Sequence, residues 1–133
     1  MGEYNVSKRL ALFPDTTRIE TVVGVERLSI ADCDLDELAR EHDTPLYLYD
    51  QVTLDGNLEA YRQALAASYS GEWGLTYAGK AGLCVALAKW VQQRGLWLDC
   101  TGRGELAVAA AAGVERDRIL VHGVNKSEAD LIA

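Results

Sequence analysis

The sequence contains few of the residues that build metal centres and disulfide frameworks. It has two histidines and three cysteines, and no two cysteines are spaced as a CxxC pair. An odd cysteine count without that spacing favours neither a set of disulfides nor a zinc site. We therefore expect Cys33, Cys84 and Cys100 to be reduced thiols in a cytoplasmic protein, and we expect no metal ligands.

Basic charge and long apolar runs are also missing. The chain has 13 Lys and Arg against 20 Asp and Glu, which gives a net charge of −7 and a pI near 4.7. A nucleic-acid partner would require a basic face, so we expect no such partner. No apolar run approaches the roughly 18 residues of a membrane span, and the first residues lack the pattern of a secretory signal.

Strand-like and helix-like segments alternate along the chain after residue 30. Strand-like segments end near residues 50, 80, 100 and 122, and a helical pattern or a helix start follows each of them. This alternation predicts a parallel sheet with helices outside it, that is, an α/β fold. Four such units are half of a (β/α)8 barrel, which typically needs about 250 residues. We therefore expect the N-terminal half of a barrel, from a longer protein.

Capping and turn residues predict several element boundaries. Asp34 is placed to cap a short helix, with Glu37 at the position that reaches back to it. Thr53 is interpreted as the cap of the next helix, and the segment 46–50 as the first barrel strand. Residues 1–30 form a leader that is irregular or β-like, with strand-like content in its second half.

Lys80 is the strongest candidate for a residue that carries chemistry. It ends a short segment, about 74–80, that reads as a buried strand, and a helical pattern begins soon after it, at Leu83. The carboxyl ends of strands are where α/β barrels place their chemistry. A desolvated lysine amine there can attack a carbonyl as a Schiff-base nucleophile. The local pattern by itself favours the alternative, a surface lysine just past a strand.

Five short segments, in order and with plausible spacing, carry a resemblance to a known family. They are Leu12-Phe13-Pro14-Asp15, Thr44-Pro45-Leu46-Tyr47-Leu48-Tyr49-Asp50, Tyr77-Ala78-Gly79-Lys80-Ala81, Leu98-Asp99-Cys100-Thr101-Gly102-Arg103-Gly104-Glu105-Leu106 and His122-Gly123-Val124-Asn125-Lys126-Ser127. Each is weak alone. Together they resemble the pyridoxal-phosphate-dependent decarboxylases with an alanine-racemase-like barrel, the ornithine, diaminopimelate and arginine group, and within it the diaminopimelate decarboxylases most.

The resemblance implies roles for residues at the strand ends. Lys80 would be the catalytic residue and would bind pyridoxal 5′-phosphate, with Asp99 and His122 as further cofactor-binding residues. From the residues alone, Asp99 can equally be a strand-end carboxylate that caps a loop, and His122 a satisfied strand-end histidine. Asn125 and Lys126 are candidates for the lining of the same pocket.

The helix start at 102–105 gives a weaker signal. A helix N-terminus can hold an anion, but Glu105 in the first turn is also what any helix dipole favours. No phosphate-binding role is therefore assigned to it. The chain departs from the family pattern at four positions, which leaves the substrate open; these positions are Gly82, Thr101, Arg103 and Val124.

The resemblance implies a decarboxylase that converts meso-diaminopimelate to L-lysine and carbon dioxide, and that is a homodimer at full length. A decarboxylase of another amino acid or polyamine precursor, and a non-catalytic cofactor-binding module, are the alternatives. Residues 1–30 would belong to a second, β-rich domain, and 31–133 to the first half of the barrel. The 133-residue chain alone is expected to be inactive and to self-associate through open sheet edges.

Overall fold

A computed structural model of the chain describes residues 10–124 and 126–132, so residues 1–9 of the predicted leader lie outside it. The structure consists of two compact units. The first ends at Ser70 and the second begins at Gly71. No helix in the described part of the chain combines the length and the apolar character that crossing a membrane requires.

The first unit contains a small antiparallel sheet. Strands β1 (Arg18–Val22) and β2 (Val25–Ile30) form a hairpin, and the short β3 (Cys33–Asp34) pairs with β2. The two turn residues of the hairpin, Val23 and Gly24, both have positive φ. A two-residue turn with that backbone matches the twist of paired strands. The β-like content predicted for the second half of the leader is therefore confirmed.

Two helices of the first unit each begin after an aspartate. Helix α1 (Leu35–His42) follows Asp34, whose carboxylate accepts hydrogen bonds from two backbone amides of the first turn, as predicted. Helix α2 (Gln51–Ser68) begins after Asp50. The prediction of Thr53 as its cap is wrong, because Thr53 lies inside the helix and its own amide donates to the Asp50 carboxylate at 3.3 Å.

The prediction of a strand at 46–50 is also wrong. The segment is assigned to no strand, and Tyr47 within it is 89% exposed. A strand exists only where a neighbouring backbone completes its hydrogen bonds. None of the strand ladders in the described part of the chain includes residues 46–50. An apolar, aromatic sequence supplies strand propensity but not the partner.

The second unit contains a parallel sheet with the predicted alternation of strands and helices. Its strands are β4 (Thr76–Ala78), β5 (Trp97–Cys100) and β6 (Ile119–Val121), with β5 in the centre. Helices α3 (Val85–Gln93), α4 (Arg103–Ala112) and α5 (Glu128–Ile132) follow them. The strands are shorter than predicted. In particular, β4 ends at Ala78, and Lys80 lies in a 3₁₀ turn, Gly79–Ala81.

The core of the second unit lies on one face of this sheet. Leu98 and Cys100 of β5 are fully buried there, where α3 and α4 pack against the strand and against each other. The helices contribute buried small and aliphatic side chains, namely Leu87, Ala88, Val91 and Ala109. Because side chains alternate along a strand, Trp97 and Asp99 face the opposite side of the sheet. Helix α4 ends at Gly113, which adopts a left-handed conformation that glycine accommodates without strain.

Candidate active site

Lys80, Asp99 and His122 lie at one edge of the parallel sheet. Lys80 is in the turn after β4, Asp99 is the next-to-last residue of β5, and His122 directly follows β6. The carboxyl ends of parallel strands meet at the same edge. The sequence therefore identified three residues that the fold brings to one end of one sheet.

The register of the strands places Asp99 on the face that α3 and α4 do not cover. Asp99 pairs with Ala78 of β4 on one side and with Leu120 of β6 on the other. Residues opposite one another in a ladder project to the same face, so all three lie opposite the buried Leu98 and Cys100. The polar edge of the sheet is thus separate from its apolar core.

The side chains of Asp99 and His122 are in contact. The Nδ1 atom of His122 lies 3.7 Å from Oδ2 of Asp99. The backbone amide of His122 donates a 3.0 Å hydrogen bond to the carbonyl of Cys100, which ties the end of β6 to β5. The His122 side chain is 61% exposed, whereas that of Asp99 is 19% exposed.

The second oxygen of the Asp99 carboxylate has no partner within the described ranges. Oδ1 is buried, yet no donor among residues 10–124 and 126–132 reaches it. Leaving a buried acceptor unsatisfied costs about 1–3 kcal/mol. Such atoms in a native structure call for an explanation such as a bound group. Asp99 is therefore suited to hold a donor that residues 10–124 and 126–132 do not provide.

Lys80 is presented to solvent by a hydrogen-bonded turn. The amide of Gly82 donates to the carbonyl of Gly79 at 3.0 Å, and the Tyr77 hydroxyl donates to the carbonyl of Gly82 at 2.9 Å. Gly82 has a φ of 134°, which L side chains rarely adopt, so a glycine suits this position. Lys80 is exposed and forms no ion pair with Asp99 in the described structure. Its amine is available to an external carbonyl.

Gly79 is a site residue that the sequence reasoning missed. It is buried, and a Cβ atom added to it would lie 2.9 Å from the carbonyl oxygen of Asp99 and 3.3 Å from the carboxylate of Glu105. The backbone at Gly79 therefore approaches β5 more closely than a side chain at this position would permit. The sequence signal that could have indicated this close approach is the presence of a glycine directly before Lys80.

Glu105 is a second residue whose role the sequence reasoning did not identify. Its Oε2 accepts hydrogen bonds from the amide of Thr101, from the Thr101 hydroxyl at 2.8 Å and from the amide of Gly102 at 3.2 Å. Burial acts to raise the pKa of Glu105, but these hydrogen bonds and the nearby Lys126 outweigh it and keep the pKa below its ordinary value. Glu105 is therefore ionised at neutral pH.

The two pocket candidates from the last loop have different outcomes. Asn125 lies outside the described residues. Lys126 is described, and its amine donates a hydrogen bond to the carbonyl of Thr101 rather than to Asp99. The Lys126 amine also lies 3.2 Å from the position of a Cβ on Gly123. Lys126 thus ties the loop after β6 to the loop after β5.

Neither thiol nor metal chemistry is supported at this edge. Burial raises the pKa of the Cys100 thiol to about 11, and the carboxylates of Glu105 and Asp99 add to the rise, so Cys100 is a poor nucleophile. The described residues include no group of three His, Cys, Asp or Glu side chains that could hold a metal ion. What the edge offers is an exposed amine, a carboxylate with a free oxygen, and an imidazole.

Residues 54–133 match a family model, that of the pyridoxal binding domain of pyridoxal-dependent decarboxylases. The diaminopimelate decarboxylase of Mycobacterium tuberculosis (strain ATCC 25618 / H37Rv) is 45% identical over 120 residues, which are 90% of this chain and 25% of that protein. The diaminopimelate decarboxylase of Bacillus subtilis (strain 168) is 37% identical over 105 residues, 78% of this chain and 24% of that protein. The chain thus spans about a quarter of the length of these curated relatives.

Solved structures give the same result for the fold. The crystal structure of diaminopimelate decarboxylase from M. jannaschii superimposes with a TM-score of 0.76 at 27% identity, over 91% of this chain and 28% of that one. The same enzyme in co-complex with L-lysine gives a TM-score of 0.75 at 27% identity, over 89% of this chain and 27% of that one. The predicted fold class, an α/β chain corresponding to the N-terminal part of such a barrel enzyme, is confirmed.

Proposed function

Because the chain belongs to the pyridoxal-dependent decarboxylase family, we propose that it is part of a decarboxylase that converts meso-diaminopimelate to L-lysine and carbon dioxide. The observation that carries the proposal is the meeting of Lys80, Asp99 and His122 at one sheet edge within the matched region. The cofactor that the family implies is pyridoxal 5′-phosphate.

The residues at this edge fit that cofactor. An exposed lysine amine can bind its aldehyde carbon. The buried Oδ1 of Asp99 has no donor in the described part of the chain, and a bound group could supply one. His122 can line the same pocket, since its side chain already contacts Asp99. When bound, the cofactor supplies an electron sink for the carbanion that remains after a carboxylate leaves as carbon dioxide.

The chain's own residues then have distinct tasks. Lys80 holds the cofactor, and its amine can carry a proton to or from the reacting carbon whenever it is released. Asp99 orients a donor group through its unsatisfied oxygen. Asp99 and His122 are in contact, so the two side chains can line one wall of the pocket together.

The substrate assignment is supported by the names of the relatives. Two relatives, at 45% and 37% identity, are diaminopimelate decarboxylases. A structural neighbour of that name is described in co-complex with L-lysine, the proposed product. The proposal includes a homodimer in the cytoplasm, for which the three free cysteines are typical of a reducing compartment. The division into a leader, 1–30, and a barrel half, 31–133, stays a prediction.

Covalent trapping of the cofactor tests the proposal directly. The 133-residue chain would be incubated with pyridoxal 5′-phosphate, reduced with borohydride, digested and analysed by mass spectrometry. We expect modification at Lys80 to exceed that at the exposed Lys89. The variant Lys80→Arg should lose the trapped adduct, and the matched Lys89→Arg should keep it. Equal modification of Lys80 and Lys89 would contradict the assignment of Lys80.

The substrate is tested on the same loaded chain. meso-Diaminopimelate and L-ornithine would be added separately while the visible spectrum of the bound cofactor is recorded. We expect the larger spectral change with meso-diaminopimelate. A larger change with L-ornithine would favour a decarboxylase of another amino acid and would leave the cofactor assignment intact.

A further inference from the structure

Thr101 is the centre of a small cluster of side chains in the second unit. Its amide and hydroxyl both donate to Glu105, and its carbonyl accepts from the amine of Lys126. Glu105 belongs to α4 and Lys126 to the loop after β6. We call Thr101, Glu105 and Lys126 the Thr101 cluster. Thr101, which directly follows β5, is thus hydrogen-bonded to two separate segments, α4 and the loop after β6.

Each charged member of the Thr101 cluster lies against a glycine beside a site residue. The Glu105 carboxylate is 3.3 Å from the position of a Cβ on Gly79, which directly precedes Lys80. The Lys126 amine is 3.2 Å from the corresponding position on Gly123, which directly follows His122. Neither glycine could carry a side chain without displacing its neighbour. The cluster thus abuts both turns that present the outer two site residues.

We propose that Glu105 and Lys126, acting through Thr101, are positioning residues that hold the turns presenting Lys80 and His122 on the two sides of Asp99. The inference rests on the proposed function, because it concerns the placement of the amine that would bind the cofactor. Neither Glu105 nor Lys126 touches the reacting atoms. Around metal ligands, loss of an outer residue that orients the ligand typically costs about 10- to 100-fold in affinity or activity, and we expect an effect at the lower end of that range here.

An ordinary helix cap does not account for this arrangement. Glu105 is the third residue of α4, and a glutamate there that accepts the amide of Gly102 is a standard cap. That role explains its bonds to the start of its own helix. It explains neither the packing of the carboxylate against Gly79 nor the hydrogen bond from Lys126 to Thr101. The charges of Glu105 and Lys126 also favour one another, which keeps Glu105 ionised within the cluster.

Removal of the Lys126 charge is the sharpest test, because it leaves the helix cap in place. The rate at which pyridoxal 5′-phosphate is trapped at Lys80 would be compared in the wild-type chain, Lys126→Met and Lys126→Arg. We expect Lys126→Met to be slower by about tenfold and Lys126→Arg, which keeps a donor and a charge, to stay near the wild type. The matched control is Lys89→Met, which removes an exposed lysine from α3 and should have no effect.

Hydrogen exchange supplies a second measurement, which does not need the cofactor. The amide of Gly82 closes the turn that carries Lys80 by donating to Gly79 at 3.0 Å. If the Thr101 cluster holds that turn, Glu105→Gln should accelerate exchange of the Gly82 amide, whereas Lys89→Met should not. A residue that served only as a helix cap would affect the first turn of α4 and leave Gly82 unchanged.

Cofactor trapping and hydrogen exchange together distinguish failure of this inference from failure of the proposed function. If the wild-type chain shows no preferential trapping at Lys80, the proposed function fails, and the exchange of Gly82 still decides whether the cluster holds the turn. If trapping at Lys80 is normal in the wild type and equally fast in Lys126→Met and Lys89→Met, with Gly82 exchange unchanged in Glu105→Gln, the positioning role is overturned.

Discussion

The imidazole of His122 and the carboxylate of Asp99 are in contact, with 3.7 Å between Nδ1 and Oδ2, although the two residues come from different strands. The contact uses one oxygen of Asp99 and leaves the other, Oδ1, buried without a partner within the described ranges. A carboxylate held in this way destabilises the chain that carries it and becomes useful when a ligand supplies the missing donor.

The first prediction concerns the free-energy cost of the unsatisfied Asp99 oxygen. Asp99→Ala should raise the free energy of unfolding by about 1 kcal/mol, because it removes an unsatisfied buried acceptor and only a weak pair with an exposed imidazole. The same variant should trap pyridoxal 5′-phosphate at Lys80 less efficiently than the wild type. Urea unfolding and mass spectrometry measure the two effects.

Asp50→Ala is the matched control for Asp99→Ala. Asp50 is also a buried carboxylate, at 7% exposure, but its oxygens accept from the Thr16 and Thr53 hydroxyls and from two amides. Its loss should therefore lower the free energy of unfolding by about 1–2 kcal/mol, as for other helix caps. If Asp99→Ala destabilised the chain as much as Asp50→Ala, the idea of an unsatisfied carboxylate would be refuted.

The example of Asp50 also shows where the sequence is sufficient and where it is not. Asp50 and Thr53 are both good capping residues, and the local pattern alone does not choose between them. In the structure the hydroxyl of Thr16, 34 positions earlier, donates to Asp50 at 2.9 Å. A contact with a distant residue cannot be read from the helix pattern. The same holds for the segment 46–50, whose strand propensity lacks a partner in the described part of the chain.

The positions of Lys80, Asp99 and His122 were predictable for a different reason. Each follows or ends a strand in a strand–helix alternation, and parallel strands bring such positions to one edge whatever the details of packing. The part played by Glu105 was not predictable. Its position in the first turn of a helix has an ordinary explanation, and its contact with Gly79 depends on how closely β4 and β5 approach.

The second prediction concerns the close approach at Gly79. Gly79→Ala should destabilise the chain by about 2 kcal/mol, since its Cβ would lie 2.9 Å from the backbone carbonyl of Asp99, which cannot move cheaply. It should also slow trapping of the cofactor at Lys80. Gly104→Ala is the control, because a Cβ at that helical position meets nothing within 4 Å.

Gly104→Ala should be neutral or stabilising by up to about 1 kcal/mol, since alanine favours a helix over glycine. Thermal unfolding of the two variants gives the comparison. Similar midpoints for Gly79→Ala and Gly104→Ala would mean that β4 and β5 are less closely apposed than described.

The third prediction concerns acid pH. The hydrogen bond from the Thr53 hydroxyl is the largest cause that lowers the pKa of Asp50, and bonds from Thr16 and two amides add to it against the effect of burial. A carboxyl group with a lowered pKa in the folded state stabilises that state above its unfolded pKa of about 3.9. This stabilisation is lost as the pH falls through the lowered value.

Asp50→Asn isolates the charge, because asparagine is also a good cap. The difference in urea midpoint between wild type and Asp50→Asn should be full above about pH 5 and should shrink below about pH 4. The exposed Glu26→Gln is the control and should show a small difference throughout. A difference for Asp50→Asn that stayed constant from neutral pH to pH 3 would count against the assigned bonding of Asp50.

The fourth prediction concerns the thiol of Cys100, which is fully buried beneath α3 and α4. With its pKa raised to about 11, about one thiol in a thousand is ionised at pH 8, and only the thiolate reacts quickly. Iodoacetamide at pH 8 should therefore modify Cys33 and Cys84, which are exposed, and spare Cys100 in the folded chain. In urea all three should react. If Cys100 of the folded chain were modified as fast as Cys84, the core behind the candidate active-site edge would be open to solvent. The separation of the polar edge from the apolar core would then no longer hold.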